Sequence, residues 1–315
     1  MVSRKVNKRK TVKTKKNKKI WIKVLLLILL GLLVAGLTIG LLWFINRQNE
    51  TSVISNSPSV NEPEPEPEEP KITLPNKIDF QPMVDEWVQA VGGNRSVLIY
   101  DLEREEIAAN YNGDEKYSTA SLYKLFVVYE GYRRIQNGEW SGNDAAGSTG
   151  YTILKCLDLA IRESHSPCAE TLWAKIGHTE LDEIIKKDFK IENSDISHLI
   201  SNPADIMKIL KIFYLHKDIK NENLIISMKD SFLNQPTTTY NWRQGLPSGF
   251  NKANVYNKVG WDYNPDGRYW NIYHDAAIVE FPDENRHFIV VVMTNRVPFE
   301  RIRQFGTKIE ETFYK

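Results

Sequence analysis

Cysteine, basic surface and internal repetition are all scarce in this chain of 315 residues. It has two cysteines, Cys156 and Cys168. Two thiolates make no tetrahedral zinc site without histidines at suitable spacing, and none flanks them that way, so no metal is expected. In an oxidising exterior they could form one disulfide; both also fall in helical segments, where buried free thiols are the alternative. From Asn76 onward 28 basic residues stand against 34 acidic ones, with no basic stripe. That balance argues against a nucleic-acid partner. There is no internal repeat, so the order of elements must carry the fold argument.

The basic residues are concentrated at the start. Residues 1–23 carry eleven Lys/Arg and no acid. Val24 to Ile45 follows, 22 residues without a charge, long enough to cross a bilayer as a helix. Trp21 and Trp43 sit near its ends, where aromatic rings favour the interface. The positive-inside rule puts the N-terminus in the cytoplasm and everything after Ile45 outside, as a single-pass protein of the cell membrane. A cleaved signal peptide is the competing reading, but Leu41-Leu42-Trp43-Phe44-Ile45 does not resemble a small-residue cleavage site. Thr51 to Pro70 includes the alternation Glu62-Pro63-Glu64-Pro65-Glu66-Pro67. Proline and like charge keep such a stretch extended, a spacer between membrane and folded part. The organisation expected is a tail at 1–23, an anchor at 24–45, a linker at 46–76 and a folded domain at 77–315.

Within that domain the patterns predict a short helix at Asp85–Val91, then a hairpin of Ser96–Tyr100 and Ile107–Asn110. Helices are expected at Ser121–Ile135, Leu154–Ile161, Pro167–Ile176 and Pro203–Tyr214. Three strands, Val255–Val259, Tyr269–Glu280 and His287–Thr294, precede a closing helix at Phe299–Phe313. This order describes an α+β fold in which terminal segments form one antiparallel sheet and the middle forms a helical lobe.

Three local patterns carry chemistry. Ser121-Leu122-Tyr123-Lys124 places an ammonium beside a hydroxyl at i and i+3. A serine is a poor nucleophile until a base takes its proton, and a lysine of lowered pKa can be that base. Taken alone, the pair reads more readily as an N-cap serine and a solvated lysine. Ser164-His165-Ser166 stands in the turn before a helix, where either serine could simply cap. Lys258-Val259-Gly260 ends a strand, shortly after Arg243-Gln244-Gly245-Leu246-Pro247-Ser248-Gly249. His274-Asp275 invites a Ser-His-Asp reading. Neighbours on a strand face opposite sides, so His274 is expected to pack or bond locally. The aromatic residues from Tyr263 to Tyr273 are expected to pack.

In this order the patterns resemble the motif set of the serine β-lactamase and penicillin-binding protein superfamily, Ser-x-x-Lys, Ser-Asp-Asn and Lys-Thr-Gly, and most resemble its class A β-lactamase branch. The resemblance spans roughly residues 80–315. It implies acyl transfer through Ser121, with Lys124 as base, Ser164 as proton relay and Lys258 as a positive charge that lowers the Lys124 pKa and attracts a carboxylate. Backbone N–H groups of Ser121 and Trp261 would hold the oxyanion. Gly260 would let a substrate strand lie close.

The departures are as specific. Ser166 replaces the asparagine that grips substrate, His165 replaces the middle aspartate, and Val259 replaces threonine. Trp261 is large for its place. Gly177 to Pro203 is short and lacks the family's Glu-x-x-Leu-Asn pattern, leaving Glu192 or Asp195 as substitutes for its water-activating glutamate. The resemblance implies a β-lactam or peptidoglycan stem peptide as substrate, no cofactor and a monomer, and the missing glutamate pattern implies slow release of the acyl group. The alternative is a degenerate wall-peptide binding or sensor protein.

Overall fold

A computed structural model describes residues 74–236, 241–263 and 271–315. The expected tail, anchor and most of the linker lie outside the described residues, as does much of the Tyr263–Tyr273 aromatic run. Among the described residues no helix is long and apolar enough to cross a membrane.

The α+β order is present. Helix α1 (Gln81–Ala90) leads into strands β1 (Asn94–Asp101) and β2 (Glu106–Tyr111). A two-residue strand β3 (Tyr117–Ser118) precedes helix α2 (Lys124–Gln136). Helices α3 (Ile153–Arg162), α4 (Ser166–Ile176) and α5 (His178–Lys187) follow, then β4 (Ile200–Ser201), α6 (Pro203–Leu215) and α7 (Glu222–Leu233). The chain closes with β5 (Asn254–Asp262), β6 (Ile272–Phe281), β7 (Arg286–Asn295) and α8 (Phe299–Phe313). The main sheet runs β2-β1-β7-β6-β5, antiparallel throughout, and β3 pairs with β4 apart from it.

Both faces of this sheet are covered, which explains the unbroken apolar run Phe288 to Met293. Ile289, Val291 and Met293 join the cluster under the helical lobe, while Phe288, Val290 and Val292 join the one under α1 and α8. Alternation along β5 follows the same rule. Val255 and Val259 pack on the α8 side. Lys258, paired with Ala276 of the lobe-side cluster, points towards the helices.

Two helices were not anticipated. Gly177, at φ 99°, ends α4 and α5 starts immediately after it, so much of Gly177–Pro203 is helix. Helix α7 shows its period in Leu224, Met228 and Phe232 and is capped by Asn221. The cysteines are joined: Cys156 on α3 and Cys168 on α4 form a disulfide with Cα atoms 4.9 Å apart.

Candidate active site

Ser121 does not sit on α2. It lies in a 3-10 turn, Ala120–Tyr123, immediately before it. In such a turn residues i and i+3 eclipse one another, which sets Lys124 over Ser121 more directly than an α-helix would. The Lys124 Nζ and Ser121 Oγ are 3.2 Å apart, and Lys124 is fully buried. Burial pushes its pKa down to about 8, against the Glu170 carboxylate, which holds it up.

The turn from α3 to α4 supplies the other partners. Ser164 adopts φ 54°, a left-handed backbone that an ordinary residue takes only where the fold demands it. Lys124 Nζ donates to the Ser164 carbonyl and, at 3.0 Å, to Ser166 Oγ. With two hydrogens held there, the lone pair of a neutral amine is left for the Ser121 proton. Neither serine caps α4: His165 does, its Nδ1 accepting from the Cys168 N–H at 3.3 Å. That frees both hydroxyls for the cleft.

Lys258 comes from β5. Its Nζ donates to Ser164 Oγ at 2.9 Å, and Ser164 Oγ lies 3.3 Å from Lys124 Nζ. One hydroxyl therefore bridges two lysines. Burial, and then the charge of Lys124, hold the Lys258 pKa well below the lysine range. The sequence reading gave Lys258 a standing positive charge. Burial of both amines around one hydroxyl works against each carrying a proton at the same time.

Gly260 is required by contact. A Cβ there would come within 2.7 Å of the Thr119 carbonyl and 3.0 Å of Leu122 Cγ. Its absence lets β5 press against the turn that bears Ser121. The neighbouring side chains turn away: Val259 is buried in the α8-side cluster, and the Trp261 ring packs on the same side, 5.8 Å from Trp242. What Val259 and Trp261 offer a ligand is thus backbone, and the bulk of Trp261 lies away from Ser121.

His274 behaves as a local anchor. Its Nδ1 accepts from the Thr294 N–H at 2.9 Å, so Nε2–H donates to the Ser118 carbonyl at 2.8 Å. Burial brings its pKa down to about 4. Asp275 points the other way, accepting from Leu246 N–H and Asn257. No triad forms. Asp195 is occupied with Ser197 and His198 in its own turn.

Sequence reasoning missed Glu170. It stands one helical turn after Ser166 on α4 and acts electrostatically on both Lys124 and the Tyr123 phenol. The i, i+4 spacing from Ser166 was the available signal.

The model of the Beta-lactamase enzyme family matches residues 79–314. A search of curated proteins finds no match. Among solved structures, PBP-A is similar at TM-score 0.62 and 17% identity, over 77% of this chain and 99% of its own. An ancestral class A β-lactamase (GNCA) gives TM-score 0.64 and 17% identity over 74% and 100%. A β-lactamase from Chitinophaga pinensis gives TM-score 0.62 and 16% identity over 74% and 97%. At these identities the likeness establishes the fold.

Proposed function

The chain belongs to the β-lactamase enzyme family, and from that premise we propose that it is an extracytoplasmic serine hydrolase acylated at Ser121 by β-lactams or D-Ala-D-Ala-like peptides. The observation that carries this reading is the buried Lys124 amine 3.2 Å from Ser121 Oγ. Its pKa of about 8 leaves a usable neutral fraction near physiological pH.

In the first step the Ser121 oxygen attacks the amide carbonyl as its proton passes to Lys124. The carbonyl becomes an oxyanion facing the backbone of Ser121 and Trp261. The C–N bond then breaks, and the proton moves from Lys124 through Ser164 Oγ to the leaving nitrogen. The chain of contacts from Lys124 to Ser164 to Lys258 supports that relay. Release of the acyl group needs an activated water, and a general base supplies about 10²–10⁴-fold. Gly177 to Pro203 carries no Glu-x-x-Leu-Asn pattern, and Asp195 is held in its own turn. Slow release is the expected consequence.

A membrane anchor at Val24–Ile45 with the domain outside completes the reading. The Cys156–Cys168 disulfide supports it, because such bonds persist in oxidising compartments. The intact Ser121, Lys124, Ser164 and Lys258 constellation weighs against a degenerate binding protein. Labelling with a fluorescent penicillin followed by a chase tests the proposal. Covalent label that fades slowly is expected; no label removes it, and rapid turnover of a chromogenic cephalosporin removes the slow-release part.

A further inference from the structure

Hydrolysis of an ester on Ser121 needs a base for the incoming water, and the groups that serve acylation are already engaged. The hydrogens of Lys124 are directed to the Ser164 carbonyl and Ser166 Oγ, while Ser164 Oγ is held between Lys124 and Lys258. A carboxylate facing the Ser121 turn would meet the need.

Helix α4 presents one. Ser166, Glu170 and Trp173 recur at four- and three-residue steps along it and share a face. Both ends of that face are fixed against the turn that bears Ser121 and the start of α2. Ser166 Oγ lies 3.0 Å from Lys124 Nζ, and the Trp173 ring centroid lies 5.1 Å from that of Tyr123. Glu170 stands between these two contacts and so faces the same segment. Its charge is the one that bears on Lys124. Other acidic groups of the lobe are committed elsewhere: Asp158 to Lys155 and Arg162, Asp195 to its own turn. Among the described residues no hydrogen bond or salt bridge holds the Glu170 carboxylate. Beside it opens a space of about 430 Å³, walled by Tyr123 and Leu199 among others and roomy enough for water.

We propose that Glu170 is the base that activates the water releasing the acyl group from Ser121. The inference rests on acylation at Ser121 and names the group that ends it. The water oxygen bonds to the acyl carbon as its proton passes to Glu170. The tetrahedral oxyanion then collapses, and the C–Oγ bond breaks with its electron pair going to Oγ. Ser121 Oγ takes a proton from Lys124 as Lys124 takes the one held by Glu170, and the acyl group leaves as a carboxylic acid. An exposed carboxylate that nothing restrains spends only part of its time in the productive position, which keeps this release slow.

The test follows a penicillin adduct on the full chain in detergent micelles by intact mass, giving an acylation rate and a release rate for each variant. In Glu170→Gln the ratio of release to acylation is expected to fall about tenfold or more, short of the full share of a fixed general base. Glu170→Ala should fall likewise and recover release when formate, a small carboxylate, is added; a merely structural role would give no such recovery. An unchanged ratio in Glu170→Gln, an alanine variant that formate leaves as slow, or an adduct that never releases from the unaltered protein would each overturn the proposal. No adduct at all on the unaltered protein would remove acylation at Ser121 itself, and this inference with it.

Discussion

Lys258 Nζ and Ser164 Oγ meet at 2.9 Å, joining the middle of β5, which runs past the expected strand end at Val259 to Asp262, to the turn between α3 and α4. The contact spans 94 positions in sequence and links sheet to helical lobe at the point where the proposed acyl transfer would need a proton path. Removing the amine with Lys258→Met leaves Ser164 held by Lys124 alone. A loss of acylation rate of about 10²-fold or more is expected, the usual share of an acid–base group. Stopped-flow labelling with a fluorescent penicillin measures it, and an unchanged rate would take Lys258 out of the relay.

The pH dependence follows from Lys124. A base must be neutral to accept the Ser121 proton, and burial places this amine at about 8. The acylation rate should therefore rise with pH and level off above about 8. A profile that is flat from neutral to mildly alkaline pH would contradict Lys124 as the base.

His274 predicts an acid-sensitive fold. Its pKa is about 4 in the folded protein against 6.5 as the unperturbed value. Between those values the unfolded chain holds the proton and the folded one does not. Stability therefore falls as pH drops through this window, by at most about 3.5 kcal/mol at roughly 1.4 kcal/mol per unit. Urea unfolding across that range should show a smaller slope in His274→Gln. An identical slope would mean that His274 does not set it.

The Cys156–Cys168 bridge closes the segment that contains Ser164. Loop-closure entropy gives such a link about 3 kcal/mol. Reduction should lower the denaturation midpoint accordingly and slow labelling at Ser121 as the turn loosens. Equal midpoints before and after reduction would argue against that contribution.

The membrane reading has its own test. On intact cells an external protease should cut within residues 51–70 and release the domain, while Lys5 to Lys19 stay shielded. A protected spacer, or a soluble mature form without protease, would refute the signal anchor.

Much of this was legible in the residues. Helix α8 begins and ends where the sequence placed it, and the three final strands needed little correction, because apolar runs of that length leave few alternatives. Ser121, Lys124, Ser164 and Lys258 were found from their order in the chain and do converge. What escaped depends on direction in space. The turns of Val259 and Trp261 towards the α8 side, and the capping of α4 by His165, are set by register and backbone angle, which motif spacing does not express. Glu170 lay hidden because an exposed glutamate on a helix looks like any other solvated charge. Helix α5 was missed because Gly177 ends one helix and opens the next without a loop.

The most direct measurement is mass spectrometry of the protein after exposure to a penicillin, with the adduct mapped by peptide. One acyl group on the peptide bearing Ser121 is expected, absent in Ser121→Ala protein that keeps its unaltered circular-dichroism spectrum. An adduct on any other residue, or one that survives in the alanine variant, would contradict Ser121 as the nucleophile.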